Sequence, residues 1–240
     1  MSDKPAFKRI LLKASGEALM GKQGFGIDVD VADRISGDIA AARAMGVEVG
    51  VVIGGNIFRG VAVASRGGDR VTGDHMGMLA TVINSLALRT ALEKRGIETR
   101  VLSAIAMPQI CEAFSQQKSM SYMADGKVVI FAGGTGNPYF TTDTAAALRA
   151  AEINADALFK GTQVDGIYDS DPKKNADAVR FEHITHDELL KRGLAVMDTA
   201  AVAIARENKI PIVVYSIHEP DGLTEILAGR GRATHVRDAG

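Results

Sequence analysis

Apolar runs of strand length alternate along this chain with stretches of helical period, and no other feature narrows the choice of fold as far. Residues 7–13 read as a strand, and 28–45 read as a helix because Val31, Ile35, Ile39 and Ala42 recur at spacings of four and three before Gly46 stops it. The pattern repeats with strand 47–53, a helix from about His75 to Lys94 ended by Gly96, strands 99–103 and 127–131, helix 144–152 and strand 157–160. Beyond these come a helix behind the Thr185 and Glu188 capping box, a helix over 198–208 and a strand over 212–217. Strand then helix, repeated, predicts an α/β three-layer sandwich whose mainly parallel central sheet is covered on both faces. No internal repeat, low-complexity segment or linker breaks the pattern, so residues 1–240 read as one continuous domain.

Composition removes several classes of function. With 46% hydrophobic residues in 240, the chain can fill a core without staples. Cys111 is the single cysteine, which forbids an intrachain disulfide or a thiolate zinc site and fits a reducing cytoplasm. In residues 1–14, Lys4, Lys8 and Arg9 precede an apolar run that Lys13 ends after three residues, so no signal peptide is expected. The longest apolar runs, 47–53 and 210–217, are strand-sized and well short of a membrane helix. A net charge of −1 from 28 basic and 29 acidic residues, with 5% aromatics, gives no footprint for nucleic acid.

Glycine carries the functional information. Gly-rich clusters follow three predicted strands: Ala14-Ser15-Gly16, Gly54-Gly55-Asn56, and Gly133-Gly134-Thr135-Gly136-Asn137-Pro138. Ligands in open parallel sheets bind beyond the carboxyl ends of strands, so the three clusters should outline one cleft. Two familiar phosphate signatures nearly occur and fail. Gly16 to Lys22 matches seven positions of a P-loop, but Gln23 stands where Ser or Thr must ligate magnesium. Gly24-Phe25-Gly26 begins a dinucleotide fingerprint, but Val29 fills the third glycine's place.

Other residues suit anionic ligands better, each with a plain structural alternative. Lys13, at a strand end before a glycine turn, can set a compact charge on phosphates, or it can cap an edge of the sheet. In Gly54-Gly55-Asn56-Ile57-Phe58-Arg59-Gly60, paired glycines admit an anion and Arg59 can grip it, or the segment is a turn with a solvated arginine. Thr135-Gly136-Asn137-Pro138-Tyr139-Phe140-Thr141-Thr142-Asp143 brings hydroxyls and amides to a helix N-terminus, where Thr142 or Asp143 can also be the cap. Lys160-Gly161-Thr162-Gln163 supplies a second strand-end lysine, and further along the same loop Tyr168 can flank a base and Asp171 can bond a nucleotide. The Asp-Gly and Asp-Pro steps there equally predict an ordinary turn. Asp74 in Gly73-Asp74-His75-Met76-Gly77-Met78 reads as a helix cap or a ribose-binding carboxylate, with the cap favoured, and His75 reads as structural.

Taken together, the strings at 8–13, 16–19, 56–60, 73–78, 135–143 and 164–166 resemble the bacterial UMP kinases of the amino-acid kinase superfamily, and the resemblance fades only after about Ile217. Acetylglutamate kinases and aspartokinases share the fold and the lysines but not the Gly73 to Met78 and Thr135 to Asp143 strings. The resemblance implies transfer of the γ-phosphoryl group of ATP to UMP in pyrimidine biosynthesis, with Mg²⁺ accompanying ATP. It implies an ATP site of Lys13, Ala14, Ser15, Gly16, Gly55, Arg59, Thr162, Gln163, Tyr168 and Asp171, and a division of the domain into an N-terminal part for UMP binding and a C-terminal part for ATP binding. UMP would take Gly54, Asp74 for the ribose, and the loop from Thr135 through Gly136, Asn137, Pro138, Tyr139, Phe140 and Thr141 to Thr142. Lys13 and Lys160, with Arg59, would neutralise the transferred group while Asp143 orients the lysines; Asp198 in Val196-Met197-Asp198 is a further candidate.

The resemblance also implies a homohexamer whose oligomer contacts lie in the N-terminal part, activated by GTP through Gly21-Lys22-Gln23-Gly24-Phe25-Gly26 and inhibited by UTP. Met45, Met76, Met78, Met107 and Met120 can line adaptable contacts or fill the core. One departure stands out: the family has three glycines before the asparagine, and here Ile53 precedes only Gly54 and Gly55. Either the strand runs one residue further or the loop is one shorter. Two rival readings are a superfamily kinase acting on a carboxylate or carbamate, and a nucleotide-sensing regulator without catalysis.

Overall fold

A computed structural model describes residues 5–21, 26–57, 62, 65, 67–194 and 196–238. The strands are β1 Arg9–Ala14, β2 Glu48–Ile53, β3 Thr99–Ser103, β4 Glu112–Ala113, β5 Val128–Ala132, β6 Ala157–Thr162, β7 His183–Ile184, β8 Ile212–Ser216 and β9 Thr234–Val236. The helices are α1 Val29–Ala44, α2 Arg70–Lys94, α3 Gln116–Ala124, α4 Thr142–Glu152, α5 His186–Arg192, α6 Thr199–Glu207 and α7 Gly222–Leu227, with a short 3₁₀ turn at Gly16–Met20. The strands form one sheet in the order β4-β3-β5-β2-β1-β6-β8-β9-β7. Neighbours are parallel except where β9 runs against β8.

Strand side chains alternate between faces, and the two faces hold separate cores. Ile10, Leu12, Val49 and Phe159 pack on one side against α1, α2 and α7 through Ile35, Leu88 and Ile226. Leu11, Val52 and Leu158 pack on the other against α4 and α6 through Ala146, Ala150 and Val202. Leu11 and Ile10 have no exposed surface, and truncating either to Ala would cost about 2–5 kcal/mol. The predicted α/β sandwich with a mainly parallel sheet is therefore the observed one.

Register fixes the site. Lys13 pairs across β1 and β6 with Lys160, and across β1 and β2 with Val52. β1 lies between β2 and β6, so Lys13 is at the centre of the sheet and does not cap an edge. Both lysines share the face of Leu11 and Leu158, the face on which α4 packs.

Several local expectations need correction. The helix expected from His75 begins at Arg70, because Asp69 caps it by accepting from Thr72 N–H at 2.7 Å. Asp74 is thus inside the helix and is not its cap. Thr141, rather than Thr142 or Asp143, caps α4, its hydroxyl accepting from Asp143 N–H at 3.0 Å. Of the methionines considered for subunit contacts, Met45, Met107 and Met120 pack against the cores. β2 runs through Ile53, which pairs with Ala14, so Gly54 is the first residue beyond the strand. Helices α3 and α7 and strands β4, β7 and β9 were not expected.

Candidate active site

The three glycine clusters do meet. They line a cleft of about 670 Å³ at the carboxyl ends of β1, β2 and β5, together with the start of α4 and one face of α2. The backbones of the first two clusters touch: a Cβ on Gly54 would stand 2.7 Å from Gly16 N, and one on Gly55 would stand 2.9 Å from Gly77 O. Any side chain there forces the backbone apart. Gly54 N–H donates to Ala14 O at 3.0 Å and Asn84 Nδ2 donates to Gly54 O at 2.7 Å, so this floor is fixed from both sides.

At its centre lie two ammonium groups and one carboxylate. Lys13 Nζ is 2.8 Å from Asp143 Oδ1 and Lys160 Nζ is 2.6 Å from Asp143 Oδ2. Lys160 also donates to Val196 O. The lysines are only 7% and 8% exposed, and Asp143 sits in the first turn of α4, where a helix favours a negative charge. Burial pushes the Asp143 carboxyl up, but the adjacent Lys13 and Lys160 ammoniums outweigh burial and hold it below the usual carboxylate range. Burial also pulls Lys160 down, against the pull of Asp143. Two cations share one anion, so the cluster keeps a net positive charge at the cleft, suited to an oxyanion such as a phosphoryl group.

The second wall is the loop 135–142. Thr135 Oγ1 accepts from Asn137 N–H at 3.1 Å, and Gly136 and Tyr139 take positive φ of 80° and 71°. Thr135, Asn137, Phe140, Thr141 and Thr142 line the cleft; Gly136, Pro138 and Tyr139 belong to the same loop without lining it. Asp74 reaches this loop from α2, accepting Tyr139 N–H at 2.7 Å and pairing with Arg70 Nε at 2.8 Å. Asp198 caps α6 through Ala201 N–H at 2.9 Å, and it accepts from the hydroxyls of Thr141 and of Thr144, the latter at 2.8 Å. It therefore ties the start of α4 to α6 at the cleft wall.

Other expected residues stand apart. Thr162 ends β6 and donates to Val164 O at 2.6 Å, and Gln163 Oε1 is 2.6 Å from His218 Nε2. Tyr168 donates to Asp165 at 2.6 Å, and Asp171 accepts from Lys173 N–H at 3.0 Å. None of these four lines the cleft. Arg59 and residues Lys22, Gln23, Gly24 and Phe25 lie outside the described residues. Gly21 and Gly26 flank that segment with positive φ, and Gly26 O accepts from Asn56 Nδ2 at 2.5 Å.

Arg70, Gly77, Met78, Thr81 and Met197 line the cleft without having been singled out as ligand residues. Their signal is positional: counting from Arg70, residues 74, 77, 78 and 81 fall on one helical face. Thr81 Oγ1 accepts from Gly133 N–H at 2.8 Å and so joins α2 to the third glycine cluster.

The amino acid kinase family matches residues 8–216, and the chain belongs to that family. It is 77% identical over 239 residues to the uridylate kinase of Brucella anthropi, covering 99% of this chain and 100% of that protein. It is 74% identical over 240 residues to the uridylate kinase of Sinorhizobium medicae, covering 100% of both. Among solved structures it resembles UMP kinase from Bacillus anthracis, with TM-score 0.93 and 36% identity over 98% of this chain and 97% of that one. UMP kinase from Ureaplasma parvum gives TM-score 0.91 and 38% identity over 96% and 99%.

Proposed function

We propose that the protein is a UMP kinase, transferring the γ-phosphoryl group of ATP to UMP to give ADP and UDP. The observation that carries this reading is the Lys13, Asp143 and Lys160 cluster opening into a cleft whose far wall is the hydroxyl- and amide-rich loop 135–142. Similarity above 70% over essentially the whole chain to proteins named uridylate kinase supports it.

The chemistry needs little from the protein beyond position and charge. A phosphate monoester has its second pKa near about 6, so at neutral pH the acceptor already carries a nucleophilic oxygen. No strong general base is required, and Asp143, held ionised between two ammoniums, is placed to orient them rather than to take a proton. In-line transfer leaves charge on the equatorial oxygens of the moving group, which Lys13 and Lys160 stabilise together with backbone amides of the glycine loops and Arg59. UMP then lies along Gly54, Asp74 and the 135–142 loop. ATP lies over Lys13 to Gly16 and Gly55 and extends toward Thr162, Gln163, Tyr168 and Asp171. Mg²⁺ would accompany ATP through its phosphate groups and would add positive charge beside Lys13 and Lys160 at the transferring group. Asp143 and Asp198 are engaged by lysines and threonines, and among the described residues no three His, Cys, Asp or Glu side chains converge to hold a metal.

The finer reading is a cytoplasmic homohexamer acting in pyrimidine biosynthesis, activated by GTP through the 21–26 segment and inhibited by UTP. A ligand shifts such an assembly only by its difference in affinity between arrangements. Light scattering should give a hexamer, and GTP should raise the rate in a manner blunted by Phe25→Ala; a fully active monomer at nanomolar concentration would refute the assembly. For the core activity, a coupled ADP-release assay over the four common nucleoside monophosphates should show UMP preferred. CMP or AMP turned over as fast as UMP would sink the acceptor assignment. Turnover of acetylglutamate, aspartate or carbamate would favour a carboxylate or carbamate kinase.

A further inference from the structure

We infer that Arg70 is a positioning residue for the acceptor, holding the Asp74 carboxylate and the 135–142 loop in the geometry that reads the sugar of the bound nucleotide. The inference rests on the reading of this cleft as a UMP site.

Arg70 and Asp74 are one helical turn apart on α2, and both line the cleft. Arg70 Nε lies 2.8 Å from Asp74 Oδ2, and the same oxygen accepts Tyr139 N–H at 2.7 Å. Among the described residues no hydrogen bond falls on Oδ1. One carboxylate oxygen is thus committed to the protein while the other remains for a sugar hydroxyl. A carboxylate held by a guanidinium on one oxygen cannot swing its second oxygen away without breaking a charge-assisted bond.

The same guanidinium carbon lies 5.3 Å from the centre of the Tyr139 ring. Tyr139 takes φ of 71°, a left-handed conformation that is uncommon for a large side chain, and it is 66% exposed. Core packing therefore does not hold this residue in place. The Asp74 carboxylate accepts from its amide, and the Arg70 guanidinium lies over its ring. Arg70 thus bridges the ribose-reading carboxylate and the loop that forms the acceptor wall. Lysine would retain a charge near Asp74 but lacks the delocalised guanidinium whose Nε can hold the carboxylate while its carbon stays over the ring.

The test compares the full chain with Arg70→Met and Arg70→Lys, varying UMP at saturating ATP, then ATP at saturating UMP, then dUMP in place of UMP. Loss of a charge-assisted bond predicts that Arg70→Met raises KM for UMP by about tenfold. KM for ATP should stay within about twofold and kcat within about threefold, since Arg70 touches neither lysine. Arg70→Lys should recover part of the loss. The preference for UMP over dUMP should shrink in Arg70→Met, an effect that general destabilisation does not produce. An unchanged KM for UMP, a parallel rise in both KM values or an unchanged UMP to dUMP preference would overturn the assignment. If Arg70→Met does not fold, the Arg70→Lys split between the two KM values decides. A wild-type chain inactive on UMP defeats the underlying reading and the inference with it, whereas an active wild type beside an unaffected variant defeats only the role of Arg70.

Discussion

Two aspartates are drawn out of water on opposite faces of the sheet, and they titrate in opposite directions. Asp143, at the head of α4, has Lys13 and Lys160 within 2.8 Å and 2.6 Å, and its carboxyl is held below the usual range despite burial. Asp38, on α1, is pushed up to about 6 by burial; Arg34 pulls it back, and Asp221 adds to the rise. Burial acts the same way on both, so the difference lies in the partners. Two ammoniums in contact overcome desolvation. Arg34 and Arg95, which form no ion pair with Asp38 among the described residues and are opposed by the Asp221 carboxylate, do not. Investment of two cations in one anion marks the cleft as the place where charge is being arranged for chemistry.

The comparison breaks most sharply at Asp143. Asp143→Asn leaves two nearly buried ammoniums facing each other with no anion between them, and should destabilise the fold by about 3 kcal/mol at neutral pH. Because the folded carboxyl is depressed, its stabilisation is fully present above the ordinary carboxylate value and is lost as pH falls through the lower folded value. Urea titrations from neutral to acid pH should therefore show a loss of stability in the wild type that the variant lacks. An acid limb identical in the two proteins would show that the lysines do not hold Asp143 ionised.

Removing a cation instead of the anion tests whether the arrangement serves transfer. Lys13→Met or Lys160→Met should lower kcat by about 10²-fold or more, because the lost charge is felt most where the moving phosphoryl group carries its charge. A preserved kcat in either variant would leave that lysine a structural partner of Asp143 alone.

How much of this was legible in the sequence follows the same division between local and spatial signals. The strand and helix alternation was readable because fully buried parallel strands are apolar throughout, as in Val128–Ala132, and because caps such as Asp28 and Thr185 announce their helices locally. Helix α3 was not, since its sequence QQKSMSYMA buries only Ser119 and Met123 and carries no clear apolar stripe. The short edge strands β4, β7 and β9 span two or three residues and depend on their neighbours. At the site, Lys13 and Lys160 stand at predicted strand ends, where a phosphate role and a structural one are both open for Lys13. Asp143 is tied to them only through the family resemblance, because its position at a helix head equally suits a cap. Asp74 misled because Asp69, five residues earlier, takes the cap, and that choice moves Arg70 onto the ligand face. Met197 and Asp198 reach the cleft only through the packing of α6 beside α4, which the linear order does not reveal.

The smallest expected effect sharpens the other half of the comparison. If Asp38 is held out of water without adequate partners, its charge is a burden on the fold rather than a support. The sign follows from its raised pKa. Below the ordinary carboxylate range the group is protonated in folded and unfolded chains alike, and it contributes nothing. As pH rises toward about 6 the unfolded chain ionises first, so native stability declines, and above that value the penalty is constant. Asp38→Asn keeps the shape and removes the charge. Because Asp38 is only partly buried, solvent screening reduces the gain to about 1 kcal/mol. In urea denaturation the variant should therefore be more stable than the wild type at pH 7.5, and the difference should vanish as pH falls below the ordinary carboxylate range. Its kcat should be unchanged, since Asp38 lies on the face opposite the Lys13 and Lys160 ammoniums. A variant less stable at pH 7.5 would mean that Arg34 and Arg95 do partner Asp38 adequately, and the contrast with Asp143 would then rest on the cleft alone.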